Sequence, residues 1–530
     1  MPCLLCGNPS APSLLNLTHL CRTSVETVSP QWMEMQSLEL QISEAQHTLE
    51  KLLEQHRELR TLMNRSHDPV VLRVPPEVAG SIFRFCMPEN DALAACNREE
   101  KGILRAPLTL GAVCRGWRQL AWSIPHLWNT LAIHLKTLKH TTQCEIGEQW
   151  LARSGQLPLS IYIKGSKASG ENPAQEFQPL IAAINRECGR WKHLDLHASA
   201  DFISHFGDDS HGPSILQRLQ LYSPNGQGIC RFHLKNVNHQ PRHVQIGSFC
   251  FTSIHIRWNA VTTLTLHSLD PREFKGILQV VPQLSYCRLV SVAAPASAIA
   301  EAPIMHEQLQ VLEISFARAA EDLFFHNFTF PSLQKLTISS TVRGPLADCF
   351  ISFFERWCFS LTILRVVGAR ISSEDFFLRI LQTSPLLFNL EAGQLTPQPF
   401  EALARILANS TSDLPSTIPN THRYLFPALK FMYLTLTDFP SWNILLDIFG
   451  SPANISSSHR RPLSTLNVTV AKFRTPIEAH IDPEIIARIL DLRKLGVTMD
   501  IRLTLGKYDE DFLQMSQAFH HKKESPSINI

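Results

Sequence analysis

Four potential zinc donors stand near the start of the chain: Cys3, Cys6, His19 and Cys21. Zinc takes thiolates and imidazoles in tetrahedral sets whose paired ligands are separated by two or more residues. His19 and Cys21 have one residue between them, so no metal is expected. GSKASGE (165–171) carries the two glycines of a phosphate loop, but Glu171 replaces the lysine that must reach the phosphates, and Asn172 replaces the hydroxyl. HEQLQ (306–310) begins like a zinc-protease helix, yet Gln310 stands where the second histidine must be. No Gly-x-Ser-x-Gly elbow or dinucleotide glycine fingerprint is present. Arg115 and Arg118 beside Trp117 and Trp122 could stack on nucleic-acid bases. Helical phasing instead turns the arginines away from the apolar face. The expectation is a chain that is not an enzyme, holds no cofactor or metal, and binds no nucleic acid.

The bulk numbers agree. The 530 residues exceed what one compact core organises. Apolar residues make up 44%, as in ordinary folded proteins, and a net charge of +2 sets up no field for DNA or anionic lipid. No run of 18 apolar residues predicts a membrane span. MPCLLCGNPSAPSLLNLTHLC lacks the basic start and clean apolar run of an export signal. The 13 irregularly spaced cysteines then read as reduced interior thiols in a cytoplasmic or nuclear protein.

Positioning elements come next. Residues 1–30 read as disordered. Over 32–64, Leu38, Ile42, Ala45, Leu49, Leu52, His56, Leu59 and Met63 fall at alternating steps of four and three. This heptad seam predicts either an amphipathic helix lying on the following domain or a coiled coil that makes a homodimer through 38–63. Asp68-Pro69 ends it. In 71–88, Pro75 and Pro76 suit a helix start. Val78, Ile82, Phe83 and Cys86 then share one helical face. Residues 89–107 form a polar connector. In 108–135, Leu110, Val113, Cys114, Trp117, Leu120 and Ala121 are expected on one face of a helix, followed by a turn at Pro125 and a strand at 131–135.

Beyond about residue 190 an apolar-x-x-apolar-x-apolar pattern recurs: LQRLQL (216–221), VTTLTL (261–266), LSYCRL (284–289), LQVLEI (309–314), LQKLTI (333–338), LTILRV (361–366) and LKFMYL (429–434). Its centres Leu264, Cys287, Leu312, Leu336, Leu364 and Leu390 follow one another at 23, 25, 24, 28 and 26 residues. Pro282, Pro331, Pro385 and Pro427 each stand two residues before a copy. A strand plus a helix at that interval is a leucine-rich-repeat pattern. The usual asparagine is replaced by Leu269, Val292, Ala317, Thr341 and Ala369, so the array is irregular. A helix near 483–494 and the strand 497–505 are expected to close it, with 514–530 as a flexible tail.

VPPEVAGSIFRFCMP (74–88) together with LTLGAVCRGWRQLAWSIPHLWNTLAIHL (108–135) resembles the F-box-like domain of a large mushroom-type fungal protein family. The resemblance implies an α/β chain with five parts: a disordered N-terminus (1–30), an N-terminal helix (32–64), a three-helix F-box-like module (68–135), an irregular leucine-rich-repeat solenoid of strands and helices (136–510), and a tail (514–530). It implies a non-catalytic, substrate-recognition subunit of an SCF-type ubiquitin ligase. The F-box would dock on a Skp-type adaptor of the cullin ligase core, and the repeats would hold a protein substrate. The adaptor-facing set would be Val74, Pro75, Pro76, Val78, Ile82 and Phe83, with Val113, Cys114 and Trp117. The same residues could equally pack inside the module. Ala79, Gly80 and Ser81 depart from the family's larger or more helix-prone residues. They leave open an interaction scaffold that keeps the fold without the ligase.

Overall fold

A computed structural model describes residues 30–67, 70, 73–87, 106–135 and 140–524, apart from connecting segments of which the longest are 410–427 and 450–462. The segment 1–29, with Cys3, Cys6, His19 and Cys21, lies outside the described residues, as do nearly all of GSKASGE and most of the 89–107 connector. The chain divides into two compact units, Met1–Asn97 with Arg105–Ser123, and Arg98–Leu104 with Ile124–Ile530.

Among the described residues the first unit holds four helices: α1 (Pro30–His67), α2 (Pro76–Phe85), α3 (Ala106–Val113) and α4 (Arg115–Ser123). Pro76 opens α2 and Pro75 precedes it as N-cap, where a missing N–H costs no hydrogen bond. The predicted single face of α2 is corrected. Ala79, Gly80 and Phe83 are buried, whereas Val78, Ile82 and Cys86 are exposed. Gly80 therefore serves close packing on the inner side of the helix.

The continuous helix expected around Cys114 is also corrected. It breaks there into α3 and α4, because Cys114 acts as a cap. Its Sγ accepts from the Trp117 N–H at 3.4 Å and its carbonyl accepts from the Arg118 N–H at 3.0 Å. These bonds satisfy donors that a helix start otherwise leaves open. Arg118 Nε donates to the Gly111 carbonyl at 2.8 Å across the break. A Cβ on Gly111 would run into the Trp122 ring, so α3 and α4 pack this closely only with glycine there.

The second unit is built on a 15-stranded sheet whose strand order follows the chain. Its first strands are β1 (Thr130–His134), β2 (Leu159–Lys164), β3 (Trp191–His197), β4 (Arg218–Tyr222) and β5 (His243–Gly247). Next come β6 (Thr263–His267), β7 (Tyr286–Val292), β8 (Val311–Phe316), β9 (Lys335–Ser340) and β10 (Ile363–Val367). The last are β11 (Asn389–Leu395), β12 (Phe431–Leu436), β13 (Thr465–Ala471), β14 (Thr498–Leu505) and β15 (Tyr508–Asp511). Every pairing is parallel until β15, which returns antiparallel on β14.

The last four residues of each of the seven hexapeptides lie on these strands, and their spacing becomes register. Leu264, Cys287, Leu312, Leu336, Leu364 and Leu390 are consecutive partners across β6 to β11, and each is buried. A second buried row runs two residues on, through Leu266, Leu289, Ile314, Ile338, Val366 and Ala392. Alternation with period two sends both rows to one side of the sheet. Where the repeat lacks its asparagine, Leu269 and Val292 are buried, and the Ala293 and Ala317 N–H groups bond their carbonyls at 3.1 and 3.0 Å. An aliphatic side chain and a backbone bond thus replace the side-chain amide.

Three more strands, β2, β3 and β5, lie within 140–260 where no copy of the repeat is legible. The closing helix and strand occur at Pro483–Lys494 and β14. The expected free tail is corrected. Phe512–Glu524 is a helix that buries Phe512 and Leu513, and the Ser516 hydroxyl accepts the Ile481 N–H at 3.1 Å.

Trp128 belongs to this second unit. It is fully buried, meets Trp150 edge-on at 4.8 Å, and lies under the Arg153 guanidinium at 4.8 Å. Trp117, which packs on Phe83 at 4.9 Å, and Trp122 belong to the first unit. The three neighbouring tryptophans therefore serve two cores rather than one. Trp128→Ala is expected to cost about 3–5 kcal/mol, the range for a large aromatic removed from a core. Urea denaturation of the full chain measures it, and an unchanged midpoint would show that Trp128 does not anchor the first strand.

Candidate functional site

Two surfaces present exposed or half-exposed side chains in regular rows. The first is on α2. Helical geometry brings residues i, i+4 and i+7 onto one stripe. Val78, Ile82 and Phe85 form such a stripe, and all three are exposed, Phe85 to 91%. Ala79 and Phe83 make a parallel stripe that is buried. The expected adaptor-facing set is thereby sorted. Pro75, Pro76, Val78, Ile82 and Val113 face solvent, Val74, Cys114 and Trp117 are half-buried, and Phe83 is core. Phe85 was not singled out from the sequence, although its i+7 relation to Val78 marks it.

The second surface is the face of the sheet opposite the two aliphatic rows. Its residues alternate with the buried ones and are partly exposed along most strands. From β2 to β6 this face is rich in imidazole, phenol and amide. Tyr222 on β4 lies 5.0 Å from His197 on β3 and 6.2 Å, edge-on, from His267 on β6. The strand between carries Gly247, where a Cβ would collide with the Tyr222 ring. That missing side chain lets one tyrosine reach histidines on strands either side. Gln245 Nε2 lies 3.3 Å from His267 Nε2.

Electrostatics distinguish the centre of this patch. Asp195 has a carboxylate 15% exposed, with Oδ1 3.3 Å from His197 Nε2. Burial pushes its pKa from 3.8 to about 7, against the pull of Arg218. Burial also lowers the His197 pKa, helped by Lys164 and His267, and burial followed by Arg288 lowers that of His267. Near neutrality both imidazoles are therefore held uncharged, and the Asp195 carboxyl is about half-protonated. From β7 to β9 the face turns to ion pairs. Lys335 Nζ is 2.8 Å from Glu313 Oε1, and Arg288 Nε is 4.0 Å from its Oε2. Burial opposes the charge on Glu313, but the Lys335 bond overcomes it and holds the carboxyl below its ordinary range.

Among the described residues no group of three His, Cys, Asp or Glu could hold a metal ion. Ser160 contacts His193 and Ser214 contacts His239; Ser160 and His239 are buried, and Ser214 and His193 are partly exposed. His306 of HEQLQ is a packing residue whose Nε2 bonds the Val281 carbonyl at 2.9 Å. The described cysteines Cys86, Cys114, Cys144, Cys188 and Cys287 are thiols outside any disulfide. The last three are buried, and burial raises the Cys144 and Cys287 pKa values. Cys86, expected inside, is exposed. No described helix is long and apolar enough to cross a membrane.

No family model matches the chain, and no curated protein matches it in sequence.

The Asp195 environment has a measurable consequence. Between about pH 4 and 7 the folded carboxyl keeps a proton that the unfolded chain has released, so stability falls as pH rises through that window. Asp195→Asn carries no such proton. Its stability relative to wild type should rise between about pH 4 and 7, by on the order of 1–4 kcal/mol. Urea denaturation at both pH values reads the difference. A pH-independent difference would show that Asp195 titrates normally.

Proposed function

We propose that this protein is a non-catalytic, substrate-recognition subunit of an SCF-type ubiquitin ligase. The first unit would act as an F-box-like module on a Skp-type adaptor, and the second as an irregular leucine-rich-repeat solenoid that binds a protein substrate. The observation that carries the reading is the exposed stripe Val78–Ile82–Phe85 beside the buried stripe Ala79–Phe83. A small helical module with an apolar stripe in water fits a partner surface better than a self-sufficient core. The small residues Ala79 and Gly80 do not count against docking, since both lie on the buried side. The half-exposed sheet face, with its tyrosines, histidines and ion pairs, offers a wide and chemically varied surface for a protein ligand, as repeat arrays do.

Direct binding to a purified Skp-type adaptor tests the first half. Wild type should bind at micromolar concentration or better. Val78→Asp with Ile82→Asp should weaken binding by 100-fold or more, equivalent to about 3 kcal/mol, while leaving the fold intact because both side chains already face water. Phe83→Asp is unsuitable because it removes the core partner of Trp117. Failure of wild type to bind would leave the scaffold reading, in which the module joins no ligase.

A further inference from the structure

The seam of α1 is uncovered. Its 38 residues span about 57 Å at 1.5 Å per residue. Leu38, Ile42, Leu49, Leu52, Leu59 and Met63 are all more than half exposed, and Ala45 and His56 are exposed with them. The alternative in which this seam rests on the following domain is thereby overturned. We propose that α1 pairs with α1 of a second copy of this chain as an antiparallel coiled coil.

Residue sizes and charges along the seam decide the direction. Ile42, Leu49, His56 and Met63 occupy one of the two core positions of the heptad, and Leu38, Ala45, Leu52 and Leu59 the other. Parallel helices set like positions against each other. His56 would face the second copy's His56, and Ala45 the second copy's Ala45, giving one polar, crowded layer and one hollow layer. Antiparallel helices set each core position against the other kind. Centred between Leu49 and Leu52, that arrangement places the largest polar residue, His56, opposite the smallest, Ala45. Every remaining layer from 38 to 63 is aliphatic: Leu49 with Leu52, Ile42 with Leu59, Met63 with Leu38.

Flanking charges point the same way. In the antiparallel register Glu39 of one copy lies beside Arg60 of the other, twice per dimer by symmetry. In the parallel register the flanking contact sets Glu34 beside the second copy's Glu39, two like charges. Over 30–48 the helix holds Glu34, Glu39 and Glu44 and no Lys or Arg; over 49–67 Glu50, Glu54 and Glu58 stand with Lys51, Arg57, Arg60 and Arg65, so the first half is acidic and the second slightly basic. Reversing the second chain brings these halves together.

Sedimentation equilibrium of the full-length protein tests both parts. Wild type should be a dimer at tens of micromolar, and a monomer there would overturn the proposal. Glu39→Arg should raise the dimer dissociation constant about three- to tenfold by opposing Arg60 at both symmetric contacts. Glu39→Arg with Arg60→Glu should restore it. Unchanged or tighter association in Glu39→Arg, which a parallel pair predicts through relief at Glu34, would overturn the antiparallel assignment, as would failure of the double exchange to restore. These side chains are exposed, so loss of folding does not confuse the result. The test is independent of adaptor binding.

Discussion

Two aliphatic rows stacked down one side of the parallel sheet are the constraint on which the second unit depends. Each strand contributes one residue to each row, and each neighbour in the row sits on the next strand. No strand can bury its pair alone, since burial comes from the strand before and the strand after. A strand out of register by one would turn its apolar pair to solvent and its polar residues inward. This explains why the recurring pattern tolerates Cys287, Ala392 and Met432 in the rows but no charged side chain. It also explains why the interval between copies can vary: segments joining the strands change length without disturbing the register.

The same alternation that builds the core builds the opposite face. Side chains there are free of the packing demand and differ from strand to strand. One departure ties the two faces together. Gly247 gives up its side chain on the open face, and Tyr222 occupies the space between His197 and His267. On the same face, burial keeps the Asp195 carboxyl near half-protonated at neutral pH.

The first unit uses a different economy. Three short helices are held by Phe83 against Trp117, by Trp122 over Gly111, and by a cysteine that ends one helix and caps the next. So small a core cannot cover every apolar side chain, and the uncovered ones gather on α2 and along α1. The proposed roles of both helices follow from that shortage.

Much of the fold was legible in the sequence where the signal is local and periodic. The strands from 261 to 434 were readable from alternation at a recurring interval, and α1 from its heptads, because period and burial are written into adjacent residues. The strands at 159–164, 191–197 and 243–247 were not, since their flanks break the interval although their alternation is ordinary. The break at Cys114 was hidden because a thiol rarely caps a helix, and the helix at 512–524 because its apolar residues match a partner, not a period. On α2 the sequence offers two equivalent apolar stripes, and only packing decides that Ala79 and Phe83 go inside while Val78, Ile82 and Phe85 stay out. The site chemistry at Asp195 belongs to tertiary structure for the same reason. Its unusual proton affinity comes from desolvation by residues that lie far away along the chain.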